Sequence, residues 1–138
     1  MQSPHKNKAF ASLLAAVAGG IGLHRFYLRG FGDRWGWLHA ASIPATLIFI
    51  TLNVGQYGLF QAGALVLSVL AGFIEALVIG VTPDEKWDRT YNAGSDKATN
   101  SGWPIAVLLV LTLGLGASAL VAALARTFDL LFTGGAFG

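Results

Sequence analysis

The chain alternates between long apolar runs and short polar breaks. Apolar residues dominate 9–23, 35–52, 57–81 and 105–124, while polar and charged residues gather in 1–8, 24–37, 53–56 and 82–101. Runs of this kind predict helices, and a helix that crosses a membrane needs about 20 apolar residues. The first run has about 15 residues and would extend only about 22 Å, short of a hydrocarbon core of about 30 Å. The second contains Pro44, which predicts a kink or a local opening of the helical ladder. The third is long enough to span with some tilt and contains one charged residue, Glu75. The fourth begins beside Pro104, which suits a first helical turn, and is expected to end near Arg126 and Asp129, before an apolar tail from Phe128 to Gly138.

The breaks refine this outline. Residues 1–8 are expected to fray. The segment from His24 to Trp37 mixes His24, Arg25 and Arg29 with Phe26, Tyr27 and Phe31, then Arg34 with Trp35 and Trp37. Aromatic rings beside arginines suit the headgroup region, and Gly30, Gly32 and Gly36 suggest turns, so this segment reads as an interfacial elbow. Asn53-Val54-Gly55-Gln56 reads as a short uncharged turn. Residues 82–101 form a hydrophilic connection too short for a domain, with Trp87, Tyr91 and Trp103 suited to the interface. The expected fold is an all-α integral membrane protein: a short first helix, the aromatic and arginine-rich elbow, then three apolar transmembrane helices.

Composition agrees with this architecture. The 138 residues are 54% hydrophobic and 12% charged, against about 25% charged in ordinary soluble domains. The absence of cysteine removes disulfides, thiol nucleophiles and zinc–thiolate sites. A net charge of +2 is met by basic residues that flank apolar runs, so nucleic acid is not an expected partner. Lys6 and Lys8 followed by an Ala-rich run imitate a secretory signal, but the segment reads as part of the mature chain.

The basic residues also bear on topology. Four crossings from a cytoplasmic N-terminus would leave three lysines and arginines inside and six outside, against the positive-inside rule. Inverting the chain repairs the bias. A first segment that re-enters and returns to its own side repairs it better, with eight basic residues inside and only Arg126 outside. Such a segment needs cover from other helices or a partner subunit.

Three groups of residues invite chemistry. Glu75 lies deep in an apolar run, where a bare carboxylate is costly, so it should be paired or protonated. His24 and Arg25 are its natural partners; with Tyr27 they form the expected polar cluster, either pinning the elbow to the third apolar helix or serving a proton-responsive or ion-conducting role. Arg25, Arg29, Arg34, Trp35 and Trp37 are candidates for contact with anionic lipid headgroups, with generic interfacial anchoring as the plainer reading. Ala11, Ala15, Gly19 and Gly22, and further on Gly114, Ser118 and Ala122, form small-residue stripes at helical spacing that allow close helix packing, within the chain or with a second one. His24 and His39 have no third ligand at metal spacing, and no catalytic arrangement stands out, so neither metal, cofactor nor enzymatic activity is expected.

Lys6-Asn7-Lys8, the Ala/Leu run, Gly19-Gly20-Ile21-Gly22 and His24-Arg25-Phe26-Tyr27-Leu28 together resemble the TM-two (two-transmembrane) domain family over roughly residues 6–92. Arg29 stands where that family usually has Gly, and Glu75 where it usually has Asp. The resemblance implies a small integral membrane protein without a settled activity, divided here into 1–8, a two-transmembrane-type domain over 9–92, a loop over 93–104 and a C-terminal helix and tail over 105–138. The expected role is a non-enzymatic accessory or scaffold subunit in the bacterial cytoplasmic (inner) membrane, crossing it several times. Its expected partners are the bilayer and a second copy or a membrane protein. The rivals are an ion or proton path that uses Glu75, and anionic-lipid binding.

Overall fold

A computed structural model describes residues 4–55 and 57–137; the expected turn residue Gln56 lies outside them. The described residues contain seven α-helices and one 3-10 turn: α1 (Lys8–Ala18), the turn Gly19–Ile21, α2 (Leu23–Arg29), α3 (Arg34–Thr51), α4 (Gly58–Gln61), α5 (Gly63–Val81), α6 (Asp84–Tyr91) and α7 (Trp103–Thr133). No strand occurs among the described residues.

Helix α5 is the hub, against which α1, α3 and α7 all pack. The first apolar run starts on an Asn7 cap, whose side chain accepts from the Phe10 amide. It descends along α5 until Gly19 meets Gly72 backbone to backbone, where a Cβ on Gly19 would stand 2.6 Å from the Gly72 Cα. Gly22 then takes a left-handed conformation (φ 78°) that L side chains rarely adopt, and a Cβ there would also lie 2.5 Å from the Gly36 carbonyl. That reversal sends α2 back up. Tyr27 ends beside the start of α1, its hydroxyl accepting from the Asn7 amide at 2.9 Å and its carbonyl from Lys6 Nζ at 2.8 Å. The first apolar run and the elbow therefore form a hairpin that leaves from and returns to one end of the molecule.

Several expectations change. Residues 5–8 are not frayed: Lys6 donates its amide to Asn92 Oδ1 at 2.7 Å, and its carbonyl accepts from Trp87 Nε1 at 3.0 Å. The elbow is helical over Leu23–Arg29, and Gly36 lies inside α3 instead of breaking it. Gly36 is small because the Phe26 ring sits where its Cβ would be, at 2.7 Å. The third apolar run is divided at Ala62 between α4 and α5. The connection over 82–101 contains α6, and its Trp87 is buried in the core with Ala11, Ala15 and Ala76 instead of resting at an interface. Helix α7 continues past Arg126 and Asp129 to Thr133, giving 31 residues and a length of about 46 Å.

Among the described residues two helices, α5 and α7, are long and apolar enough to cross a membrane, each with a mean hydropathy of 2.5 in its most apolar window. Only 22% and 17% of those windows are buried within the chain. A core helix of a soluble protein would bury most of such a surface; these leave it for lipid or another chain. Helix α3 is less apolar and inverted: it buries Gly36, His39, Ser42 and Thr46 and exposes Leu38, Leu47, Ile48 and Ile50.

Candidate functional site

The helices converge on Glu75, two-thirds of the way along α5. Its Oε1 accepts from Arg25 Nε at 2.9 Å and from Arg25 Nη2, and its Oε2 accepts from His24 Nε2. The hairpin makes this meeting possible. The Gly19–Gly22 reversal puts His24 and Arg25 on the first turn of α2, level with the carboxyl group of the ascending α5. Arg25 also reaches Asp33, with Nη1 3.4 Å from Oδ2. Asp33 caps α3 by accepting from the Trp35 amide, so the guanidinium ties α2, α3 and α5 together.

A second layer lies below. His39 Nε2 stands 3.5 Å from Glu75 Oε2, and its Nδ1 is 2.7 Å from Ser68 Oγ. Ser68 donates to the Gly20 carbonyl at 2.7 Å, which also accepts from Ser42 at 3.3 Å. The carbonyl exposed by the 3-10 turn is thereby satisfied inside the protein. His24 is 1% exposed and its Nδ1 has no partner. Glu75 lines two cavities: one of ≈ 520 Å³ between α3 and α5, shared with His39 and Ser68, and one of ≈ 270 Å³ on the elbow side, shared with His24, Arg25 and Arg29.

The expected cluster of His24, Arg25 and Glu75 is therefore assembled. Tyr27 is not part of it; its hydroxyl and carbonyl serve residues 6 and 7 instead. Of the residues assigned to headgroup contact, Arg29, Arg34, Trp35 and Trp37 are exposed, whereas the guanidinium of Arg25 is engaged by Glu75 and Asp33. His39, Ser42 and Ser68 also join the site, a place not expected for them from the sequence. For His39 and Ser42 the spacing along α3, continued by Thr46, is the available signal, since it sets polar residues on one helical face; Ser68 lies on α5 and carries no such signal. Among the described residues no group of three His, Asp or Glu side chains is placed to hold a metal ion.

A separate lock closes the α6 end. Lys8 is buried and donates to the Thr82 carbonyl at 2.7 Å and to Asp84 Oδ1 at 2.5 Å. Burial pushes the Asp84 carboxyl up, but Lys8 and the hydroxyl and amide of Ser101 outweigh it and hold the group at about 2.

The first small-residue stripe, on α1 and the turn that follows it, is used within the chain. Ala11 and Ala15 are fully buried, and Gly19 and Gly22 make the close approaches described above. The stripe on α7 is not: Gly114, Ser118 and Ala122 are exposed, and a Cβ at Gly114 would meet nothing within 4 Å.

An all-helical chain with two apolar helices left bare and a paired acid inside one of them is a small membrane protein. Its residues 4–53 match the family model described as the TM2 domain, which bears out the resemblance read from the Gly-rich run and the His-Arg-Phe-Tyr-Leu block. The match covers α1, α2 and α3, with His24, Arg25 and His39, and ends before Ser68 and Glu75. No curated protein and no solved structure matches the chain.

Proposed function

We propose that this protein is a non-enzymatic accessory or scaffold subunit of the bacterial cytoplasmic membrane, which packs the bare face of α7 against a second copy or a larger membrane assembly. One observation carries this reading: α7 exposes Val110, Leu113, Leu115 and Val121 together with the unfilled stripe Gly114, Ser118 and Ala122. Small residues there admit a second helix backbone at close range, as the α1 stripe admits α5.

In this reading α3, α5 and α7 all cross the bilayer. The inverted burial of α3 supports its crossing, since a helix with its polar residues inside and its leucines and isoleucines outside suits lipid and not water. The α1–α2 hairpin is re-entrant. Its two ends lie with α6 on the side that carries eight basic residues, which the positive-inside rule assigns to the cytoplasm, while Arg126 is alone at the far end. Arg29 and Arg34, beside Trp35 and Trp37, then face anionic headgroups.

Native mass spectrometry of the full chain in mild detergent tests the proposal. A dimer or a co-purifying membrane protein, lost in Gly114→Leu, is the expected result; a lone monomer in both forms overturns it. A second reading, an ion or proton path, is favoured by the cavities on both sides of Glu75. It requires flux in vesicles that falls in Glu75→Gln, and equal flux removes it.

A further inference from the structure

The groove between α3 and α5 has a polar end whose hydrogens can be placed. Ser68 Oγ has one proton and lies 2.7 Å from the Gly20 carbonyl, which only accepts. Ser68 therefore accepts from His39, and the N–H of that ring sits on Nδ1, 2.7 Å away. In the neutral ring Nε2 is then a bare acceptor, 3.5 Å from Glu75 Oε2. Two acceptors face each other with no proton between them. His24 does not relieve this, because it gives its Nε2–H to Glu75; a second proton would add an unpartnered buried donor at its Nδ1. Arg25 divides one positive charge between Glu75 and Asp33. The cluster is thus short of one hydrogen-bond donor and one positive charge, where His39 and Glu75 line the groove. The rest of that ≈ 520 Å³ wall is apolar, formed chiefly by Trp35, Leu38, Leu67 and Ala71.

We infer that this groove binds an amphiphile with an N–H-bearing ammonium head and an apolar chain, the head donating to His39 Nε2 and Glu75 Oε2 and the chain lying along α3 and α5. The head supplies the missing donor and charge in one group, and the chain covers the apolar wall. An aminophospholipid of the bilayer and a free hydrophobic amine share this chemistry. The site uses α3 and α5 alone and does not depend on what packs against α7.

Titration of the delipidated full-length protein in non-ionic detergent, read by native mass spectrometry, tests the inference. Octylammonium is expected to leave one retained adduct per chain. Octyltrimethylammonium, which has the charge without N–H donors, and octanol, which has a donor without charge, should each bind about tenfold more weakly, the scale of a charge-assisted hydrogen bond. Ala71→Leu, which fills the groove and leaves the Glu75 pairs intact, should abolish the adduct without moving the thermal transition. Retention of phosphatidylethanolamine over phosphatidylcholine from mixed nanodiscs assigns the bilayer lipid as the source. Equal retention of the two with octylammonium binding kept assigns a free amine. Equal binding of octanol and octylammonium overturns the inference, as does an adduct that survives Ala71→Leu. So does a ligand-free His39 whose ¹⁵N shifts at neutral pH report protons on both nitrogens.

Discussion

Helices α1 and α7 carry the same kind of stripe, small residues four apart, and the fold treats them oppositely. Ala11, Ala15 and Gly19 disappear against α5, whereas Gly114, Ser118 and Ala122 stay on the surface. The difference lies in what accompanies each stripe. Just beyond the first come His24 and Arg25, which must reach Glu75, and just before it comes Lys8, which must reach Asp84. These polar anchors at both ends hold α1 along α5, and the small residues let the backbones touch. Beyond the second stripe the charged residues Arg126 and Asp129 pair with each other, three positions apart on the same helix. A small-residue stripe thus says that a backbone can come close; the polar residues that flank it say which one.

The strongest way to break the contrast is at the closest contact. Gly19→Leu places a side chain against the Gly72 backbone, which has no flexible end to give way. The cost should exceed the about 1–3 kcal/mol of ordinary overpacking, and loss of the cooperative thermal transition in detergent is the expected readout. A protein that melts as the parent does would mean that α1 does not need this approach.

The polar anchor comes next. Glu75→Ala leaves Arg25 and His24 facing an empty place; breaking one side of a buried pair costs about 3–5 kcal/mol. Glu75 is 23% exposed, so the lower end of that range applies. Glu75→Gln keeps acceptor and shape and should lose less. Thermal shifts in one detergent rank the three proteins, and an Ala variant as stable as the parent would show that the pair does not hold the hairpin.

How far these anchors could be read from the sequence follows from their chemistry. An acid in an apolar run demands a partner, and the hairpin's His24 and Arg25 were the obvious donors, so that pair was legible. His39 and Ser68 were not, because their meeting depends on the register of α3 against α5, which the pattern of either helix alone does not set. The hold on residues 5–8 was missed for a related reason. Lys6 is bound by Trp87 and Asn92, more than 80 positions away, in a stretch so polar that it reads as loop. Trp87 sits on the one apolar face of α6, and eight residues are too few for periodicity to reveal it.

The Lys8–Asp84 lock offers a milder test. Asp84 titrates at about 2 in the fold against 3.8 ordinarily. A depressed carboxyl contributes stability that is complete above pH 3.8 and is lost as pH falls toward 2. Lys8→Met should flatten this part of the acid limb in a thermal-shift series. At higher pH it should cost on the order of 1 kcal/mol, since Lys8 is buried but Asp84 is partly solvated and keeps its bonds from Ser101. An unchanged acid limb would remove the lock from the account.

The smallest effect on the single chain is expected at Gly114. Nothing approaches the position of its Cβ, so Gly114→Leu should leave the monomer's thermal transition in place or raise it slightly, since leucine favours helix over glycine by under about 1 kcal/mol. The same change should obstruct any helix that comes up against the stripe. The sharp form of the comparison is therefore a pair of variants with opposite signatures: Gly19→Leu ruins the fold before association can be asked about, and Gly114→Leu spares the fold and weakens association by about tenfold or more, the equivalent of one lost close contact at a helix interface. Measuring self-association by dilution in a fixed detergent, alongside melting, separates the two. If Gly114→Leu associates as the parent does, then the bare stripe on α7 is simply a lipid-facing surface, and flanking anchors are required for small residues to become an interface at all.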